Sequence, residues 1–346
     1  MASPGATADG TEVDARTPIH VLTGFLGSGK TTLLRHLLAD PALADTAVVI
    51  NEFGEVGLDH LLVREVAEDV LLLNSGCLCC SVRDDLVSSL AELHALMRAG
   101  ETPSFRRVVV ETTGLADPGP IVQAVLCEPS LTPWYRMGHV IATVDALNGE
   151  ATWMRQREAR RQLATADRVV LTKADLVVDD TCTALLGKLS EMNPSASRLV
   201  SRHGRIPAEA VLEESPAGWQ RPPAPLPQHA ALPTHSPLSA GHDPSIRTFT
   251  VALDHELEWP AFMEWLELLL ASRGDSVLRV KGLLKVKGED RPVVVQGVQH
   301  VLYPLDYLPR WPDEADRNGW LVFIARDLTQ KSIEGSLRSL SEESVA

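Results

Sequence analysis

The chain has 346 residues, 45% hydrophobic and 23% charged, with a formal net charge of −14. At roughly 150 residues per domain, this length predicts two domains with full cores. The acidic balance argues against non-specific nucleic-acid binding, which needs a positive surface, and no apolar run approaches the length of a membrane span.

Residues 1–17 are small and polar, with acidic residues and no apolar core. They read as a disordered leader rather than a signal peptide, which makes the cytoplasm the expected location. From 18 to 206, apolar runs alternate with helical patterns. Short, continuous, largely β-branched runs lie at 19–22, 47–50, 70–73, 108–110, 140–144 and 169–171, as suits strands buried on both faces. Helix candidates at 30–39, 84–99, 119–126, 152–164 and 180–191 fall between them. The alternation predicts an α/β, doubly wound, mostly parallel sheet of the P-loop NTPase kind. Ligands of such sheets sit at the carboxyl ends of the strands.

The first run leads into Gly24-Phe25-Leu26-Gly27-Ser28-Gly29-Lys30-Thr31, then Thr32 and a helical pattern. Strand, glycine loop, lysine-threonine and helix together form a phosphate-binding loop. Gly24, Gly27, Ser28 and Gly29 bring backbone N–H groups onto phosphate oxygens, and the helix N-terminus adds its dipole. Lys30 is expected at the β/γ-phosphates, and the Thr31 hydroxyl on Mg²⁺.

After the second run comes Asn51-Glu52-Phe53-Gly54-Glu55-Val56-Gly57, the position of a γ-phosphate-responsive segment in P-loop GTPases. After the third comes Asn74-Ser75-Gly76-Cys77-Leu78-Cys79-Cys80-Ser81. Thiolates suit soft ions such as Zn²⁺, and three this close supply two or three ligands of a tetrahedral site. The other reading is a redox pair, because Cys77 and Cys80 have C-x-x-C spacing. The five cysteines are an odd count in a long chain, which argues against a secreted disulfide framework. After the fourth run, Glu111-Thr112-Thr113-Gly114 places an acid where Mg²⁺ is organised, with Gly114 free to approach the γ-phosphate. After the sixth, Thr172-Lys173-Ala174-Asp175 offers a carboxylate to the paired donors of guanine, with the Lys173 stem over the base.

Nine of the 23 prolines fall between 207 and 244, which predicts an extended linker; His229, His235 and His242 lie in it. Beyond it, 245–253 alternates with period two, 260–270 reads as a helix, and strands are expected at 277–286, 293–298, 300–303 and 320–325. A closing helix at 327–340 completes a smaller α+β domain with an antiparallel sheet over 245–340.

Taken together, the motifs at 24–31, 51–57, 76–80, 111–114 and 172–175 resemble the CobW-type metallochaperone GTPases, relatives of the GTPases that help insert nickel into urease and hydrogenase. The resemblance covers 18–200 strongly, and about 245 to 330 resembles the family's C-terminal domain with less specific motifs. It implies a GTPase that uses GTP and Mg²⁺, binds a transition metal, and passes it to a client metalloprotein. Zn²⁺ is the ion implied, with Co²⁺ as the alternative. It carries Cys77, Cys79 and Cys80 over as metal ligands, Glu55 as a further one, and Thr31 with Glu111 as Mg²⁺ ligands. A monomer, or a homodimer that depends on nucleotide or metal, is expected. Some relatives have an acid where this chain has Ile50, so that ligand is excluded. Many have a dense histidine stretch; here three scattered histidines replace it. No glutamine lies beside 111–114, so slow intrinsic turnover is expected unless metal or a client assists.

Overall fold

A computed structural model describes residues 14–51, 72–74, 82–213, 246–313 and 316–343. Seven strands form the first sheet: β1 (Thr17–Gly24), β2 (Thr46–Asn51), β3 (Leu72–Asn74), β4 (Arg107–Thr112), β5 (Tyr135–Asp145), β6 (Arg168–Thr172) and β7 (Ser197–Val200). Their order is β3-β2-β4-β1-β5-β6-β7, and every pairing is parallel.

The continuous apolar runs follow from burial on both faces. Ile19, Val21, Ala47, Val49, Val108 and Val110 enter a core with α2 (Val82–Ala99) and α3 (Gly119–Cys127). The alternate residues Leu22, Val48, Ile50 and Val109 enter another with α1 (Lys30–Leu38). Successive strand side chains point to opposite faces, so both sets must be apolar. Helices α4 (Gly149–Arg155), α5 (Arg157–Thr165) and α6 (Asp179–Met192) pack around β5 and β6.

Four details differ from the expectations. Thr17, expected in the leader, opens β1 and donates its N–H to Trp134 O at 2.9 Å. The helix expected at 152–164 is two, because Gln156 adopts an extended conformation (φ −104°, ψ 123°). β7 went unrecognised because it is short and mostly exposed. The stretch that opens at Pro207 begins with a helix, α7 (Ala208–Leu212), whose Val211 and Leu212 join the α1 core. Proline is compatible with entry into a helix, so it does not by itself mark a linker there. Residues 214–245, with their three histidines, lie outside the described residues, as do 52–71 and 75–81.

The second unit comprises β8 (Ile246–Leu253), α8 (Trp259–Arg273), β9 (Val277–Leu284), β10 (Val293–Val298), β11 (Val301–Leu302), β12 (Asp306–Tyr307), β13 (Gly319–Arg326) and α9 (Gln330–Glu343). Its sheet is antiparallel, in the order β11-β10-β9-β13-β8, with β12 on β10. Phe262, Trp265, Leu266 and Leu270 of α8 bury against Phe249, Val280 and Phe323 of the sheet.

A buried ionic cluster ties the two units together. Asp167, just before β6, accepts a hydrogen bond from Val140 N–H at 3.0 Å and pairs with the Arg279 guanidinium of β9. Arg279 also donates to Gln296 Oε1 at 2.9 Å and Tyr303 Oη at 3.3 Å. Burial opposes ionisation of Asp167, but Arg279 and Lys281 overcome it and hold the carboxyl below its usual pKa. Burial pushes Lys281 down to about 8 and Tyr303 up to about 12. Asp167→Asn leaves Arg279 buried without its counter-charge, which costs about 3–5 kcal/mol. Denaturant unfolding at pH 7 measures it. Because the folded pKa lies below the ordinary 3.8, the contribution of Asp167 is complete above that value and lost as pH falls through the folded pKa. The gap between wild type and variant therefore narrows in strong acid.

Candidate functional site

Parallel pairing delivers the carboxyl ends of all seven strands to one rim. The loop between β1 and α1 is held there from three sides. Gly24 has φ 144°, and a Cβ on it would lie 2.7 Å from Thr143 O of β5. Gly27 and Gly29 have φ 73° and 95°, a region that glycine enters without steric cost. Ser28 Oγ lies 2.7 Å from Thr143 Oγ1, and the Thr172 hydroxyl donates to Ser28 O at 2.6 Å. Lys173 Nζ donates to Gly27 O at 2.8 Å and to Asp145 Oδ2 at 2.6 Å. Asp145 Oδ1 in turn accepts the Leu147 N–H at 2.7 Å. No side chain caps α1 at Gly29. The first-turn N–H groups, with the helix dipole behind them, therefore suit an anion.

Lys30 is buried, and its Nζ donates to Gly24 O at 3.0 Å, within the loop it would share with phosphate. The Thr31 hydroxyl donates to Glu111 Oε1 at 2.8 Å, and Glu111 is 3% exposed. A hydroxyl and a carboxylate in contact are the hard oxygen donors that Mg²⁺ takes alongside phosphate and water, so the pair fits that ion. Thr32 is exposed on α1, and its methyl faces Gly204 beyond β7.

The segment after β4 rests on the phosphate loop. A Cβ on Gly114 would lie 2.6 Å from Leu26 N and 2.8 Å from Leu26 Cα. Gln162 of α5 donates to Gly114 O at 3.1 Å and Ala116 O at 3.0 Å.

Asp175 stands after β6 with its side chain 13% exposed. Its Oδ1 accepts the His203 N–H at 2.7 Å, and His203 Nδ1 lies 3.2 Å from Oδ2. The backbone hydrogen bond from His203 lowers its pKa. Each carboxylate oxygen has two lone pairs, so both retain capacity for a further donor.

The rim thus gathers Gly24, Gly27, Ser28, Gly29, Lys30, Thr31, Glu111, Gly114, Thr172, Lys173 and Asp175. Cys77, Cys79, Cys80, Glu52 and Glu55 lie outside the described residues. Among the described residues, no group of three His, Cys, Asp or Glu side chains is placed to hold a metal. Sequence reasoning missed Thr143, Asp145, Gln162 and His203. Asp145 was recoverable, since it ends a strand as the recognised motifs do; Gln162 carries no signal, being one polar residue within a helix.

A parallel sheet that brings these groups to one edge, with an antiparallel unit packed behind, defines a P-loop GTPase with an added domain. The chain belongs to the CobW/HypB/UreG family: that family's nucleotide-binding domain matches residues 18–200, and the cobalamin synthesis protein cobW C-terminal domain matches 246–341. It is 33% identical over 322 residues to the zinc chaperone YjiA of Escherichia coli K12, covering 93% of this chain and 98% of that protein. It is 30% identical over 357 residues to the zinc chaperone CobW of Pseudomonas aeruginosa, covering 94% and 92%. A crystal structure of zinc(II)-bound YjiA GTPase from E. coli matches with a TM-score of 0.67 at 27% identity, covering 94% of this chain and 99% of that one.

Gly114→Ala must push the segment after β4 off the Leu26 backbone. Isothermal titration should show GTP affinity falling at least about tenfold. Gly187→Ala in α6, with open space around the added carbon, serves as the neutral control.

Proposed function

We propose that this chain is a GTP-hydrolysing zinc metallochaperone, which takes Zn²⁺ at Cys77, Cys79 and Cys80 with Glu55 and passes it to a client metalloprotein. One observation carries the reading. The Gly-Cys-Leu-Cys-Cys element begins two residues after Asn74, the last residue of β3, and β3 ends on the rim that holds the phosphate loop. The relatives named as zinc chaperones support zinc as the cargo.

In this reading the N–H groups at 27–32 cradle the phosphates, and Lys30 turns from Gly24 O to the β/γ-phosphate oxygens. Thr31 and Glu111 would hold Mg²⁺, which would supply charge neutralisation to those oxygens. Gly114 offers its N–H to the γ-phosphate, and the absence of a side chain lets its segment lie against Leu26 of the phosphate loop. Thr172 and Lys173 keep the loop in place, and Asp175 accepts the two donors of the guanine edge. Loss of the γ-phosphate relaxes the segments after β2 and β4, and the cargo leaves. Thiolates must be deprotonated to bind metal, so uptake weakens as pH falls. A reducing cytoplasm keeps the thiols available, and no helix among the described residues is long and apolar enough to cross a membrane.

The deciding measurement is zinc affinity with a non-hydrolysable GTP analogue against GDP. A difference of at least about fivefold, the low end of ordinary allosteric coupling, is expected. Equal affinities would sink the coupling. Cys79→Ala should abolish tight zinc binding and spare GTP binding. Base selectivity gives a second check. Asp175→Asn presents a donor where the carboxylate accepts, so GTP binding should fall by about tenfold or more while a purine with a 2-oxo group gains. Unchanged preference for guanine would remove Asp175 from the base site.

A further inference from the structure

The C-terminal domain meets the nucleotide domain beside the segment that follows β4. Ala164 of α5, Leu278 of β9 and Ile324 of β13 form one buried cluster across the boundary. Val298, at the end of β10, is buried in the core of the first sheet with Ile121 and Val122 of α3. The turn between β10 and β11 is thereby wedged against the start of α3. A Cβ on Gly119 would lie 2.8 Å from the Gln299 amide.

From that turn, Gln299 Nε2 donates to Asp117 Oδ2 at 3.2 Å. Arg161 of α5 donates to the same oxygen at 2.8 Å, and Asp117 Oδ1 accepts the Gly119 N–H at 3.0 Å. The neighbour of Arg161 is Gln162, which is 1% exposed and spans Gly114 O and Ala116 O. The segment 114–117 is therefore held from α5 at both ends and from the C-terminal domain at Asp117. Its other side lies against Leu26 of the phosphate loop.

We infer that Gln162 and Gln299 are positioning residues for GTP hydrolysis, and that Gln299 makes the nucleotide site responsive to the C-terminal domain. The inference rests on the GTPase reading of the rim. The chemistry at Gln162 is selective. A side-chain amide has two donors on one nitrogen and can serve two carbonyls at once. A carboxylate in its place would face two carbonyl oxygens, and an apolar residue would leave both without that donor. With the two carbonyls held, the Gly114 N–H is set relative to the phosphate loop before nucleotide arrives, which is pre-organisation of a transition-state contact. Asp117 is the joint between this segment and α3, and Gln299 holds the joint from outside the nucleotide domain. Linkage is reciprocal. A client or ion that moves the β10–β11 turn changes the preference for GTP over GDP. The γ-phosphate changes the affinity for that client or ion by the same factor.

The test uses the full-length protein and two variants, Gln162→Met and Gln299→Asn. Methionine keeps the volume of Gln162 and removes both donors. Asparagine tolerates the left-handed φ of 52° at position 299 and withdraws the amide by one methylene. For each, kcat and KM for GTP, the ratio of GTP to GDP affinity, and the melting temperature are measured. Gln162→Met should lower kcat about tenfold with a smaller change in KM, and shrink the affinity ratio. Gln299→Asn should move both in the same direction by about threefold and melt like wild type. Unchanged kcat and ratio in Gln299→Asn would overturn the inter-domain role. Equal loss of GTP and GDP affinity with a lowered melting temperature would show these residues to be packing alone. Absence of wild-type turnover would overturn both this inference and the GTPase reading; intact wild-type turnover with unaffected variants overturns this inference only.

Discussion

The site depends on how closely β1 approaches β5 at Gly24. With φ at 144° and Thr143 O 2.7 Å from where a Cβ would go, only glycine can end the strand there. That approach lets Thr143 reach Ser28, and it sets the loop where Thr172, the last residue of β6, and Lys173 just after it can hold its carbonyls. The loop is thus shaped by neighbours on one side, which leaves the N-terminus of α1 open on the other. Lys30, whose charge would be costly to bury alone, turns back to Gly24 O. In the proposed GTP complex, a phosphate would compete for the same ammonium with a full charge rather than a carbonyl dipole.

Much of this was legible because parallel sheets write themselves as continuous apolar runs and put their chemistry just after each run. Val108, Val109 and Val110 announce β4, and Glu111 follows; Val169, Val170 and Leu171 announce β6, and Thr172 follows. What stayed hidden depends on contacts distant in sequence. Gln162 acts on Gly114, 48 residues away, and Gln299 on Asp117, 182 away. Neither lies in a motif, and a polar residue in a helix or turn has no pattern that tells a clamp from a solvated side chain. The break at Gln156 and the helix after Pro207 were missed because tertiary packing overrode local preference: Trp153 and Leu163 are buried on either side of the break, and Val211 is buried in α7.

The two units are joined by contacts of opposite character. At the amino-terminal side of β6, Asp167 and Arg279 form a buried pair, in which desolvation offsets much of the attraction; such a pair specifies one docking geometry more than it stabilises. At the rim, Asp117 meets Arg161 and Gln299 where all three are partly exposed, so that contact exchanges with water at little cost. A stiff anchor with a lighter contact at the working edge is what a hinged reporter needs. In the proposed coupling, the anchor would keep register and the lighter contact would yield as the loop moves.

The order of strands then decides how two chemistries can coexist. Thr31, at the start of α1, and Glu111, near the end of β4, offer hard oxygens, whereas β3, which leads to the cysteines, lies beyond β2. At about 4.8 Å per strand, the end of β3 is about 10 Å from that of β4, too far for one ion to take ligands from both strand ends. Departure from separate strand ends suits the proposed division between a soft-ion site and a Mg²⁺ site, because thiolates near Mg²⁺ would recruit softer ions to the phosphate site. On that reading, coupling would pass through backbone between the strands rather than through a shared ligand. The segment after β4 is suited to that task. It touches the phosphate loop at Leu26 and the C-terminal domain at Gln299, and its strand borders β2. In the proposed GTP complex, a γ-phosphate contact at Gly114 would bear on both flanks of the nucleotide domain, toward β2 and toward the second sheet.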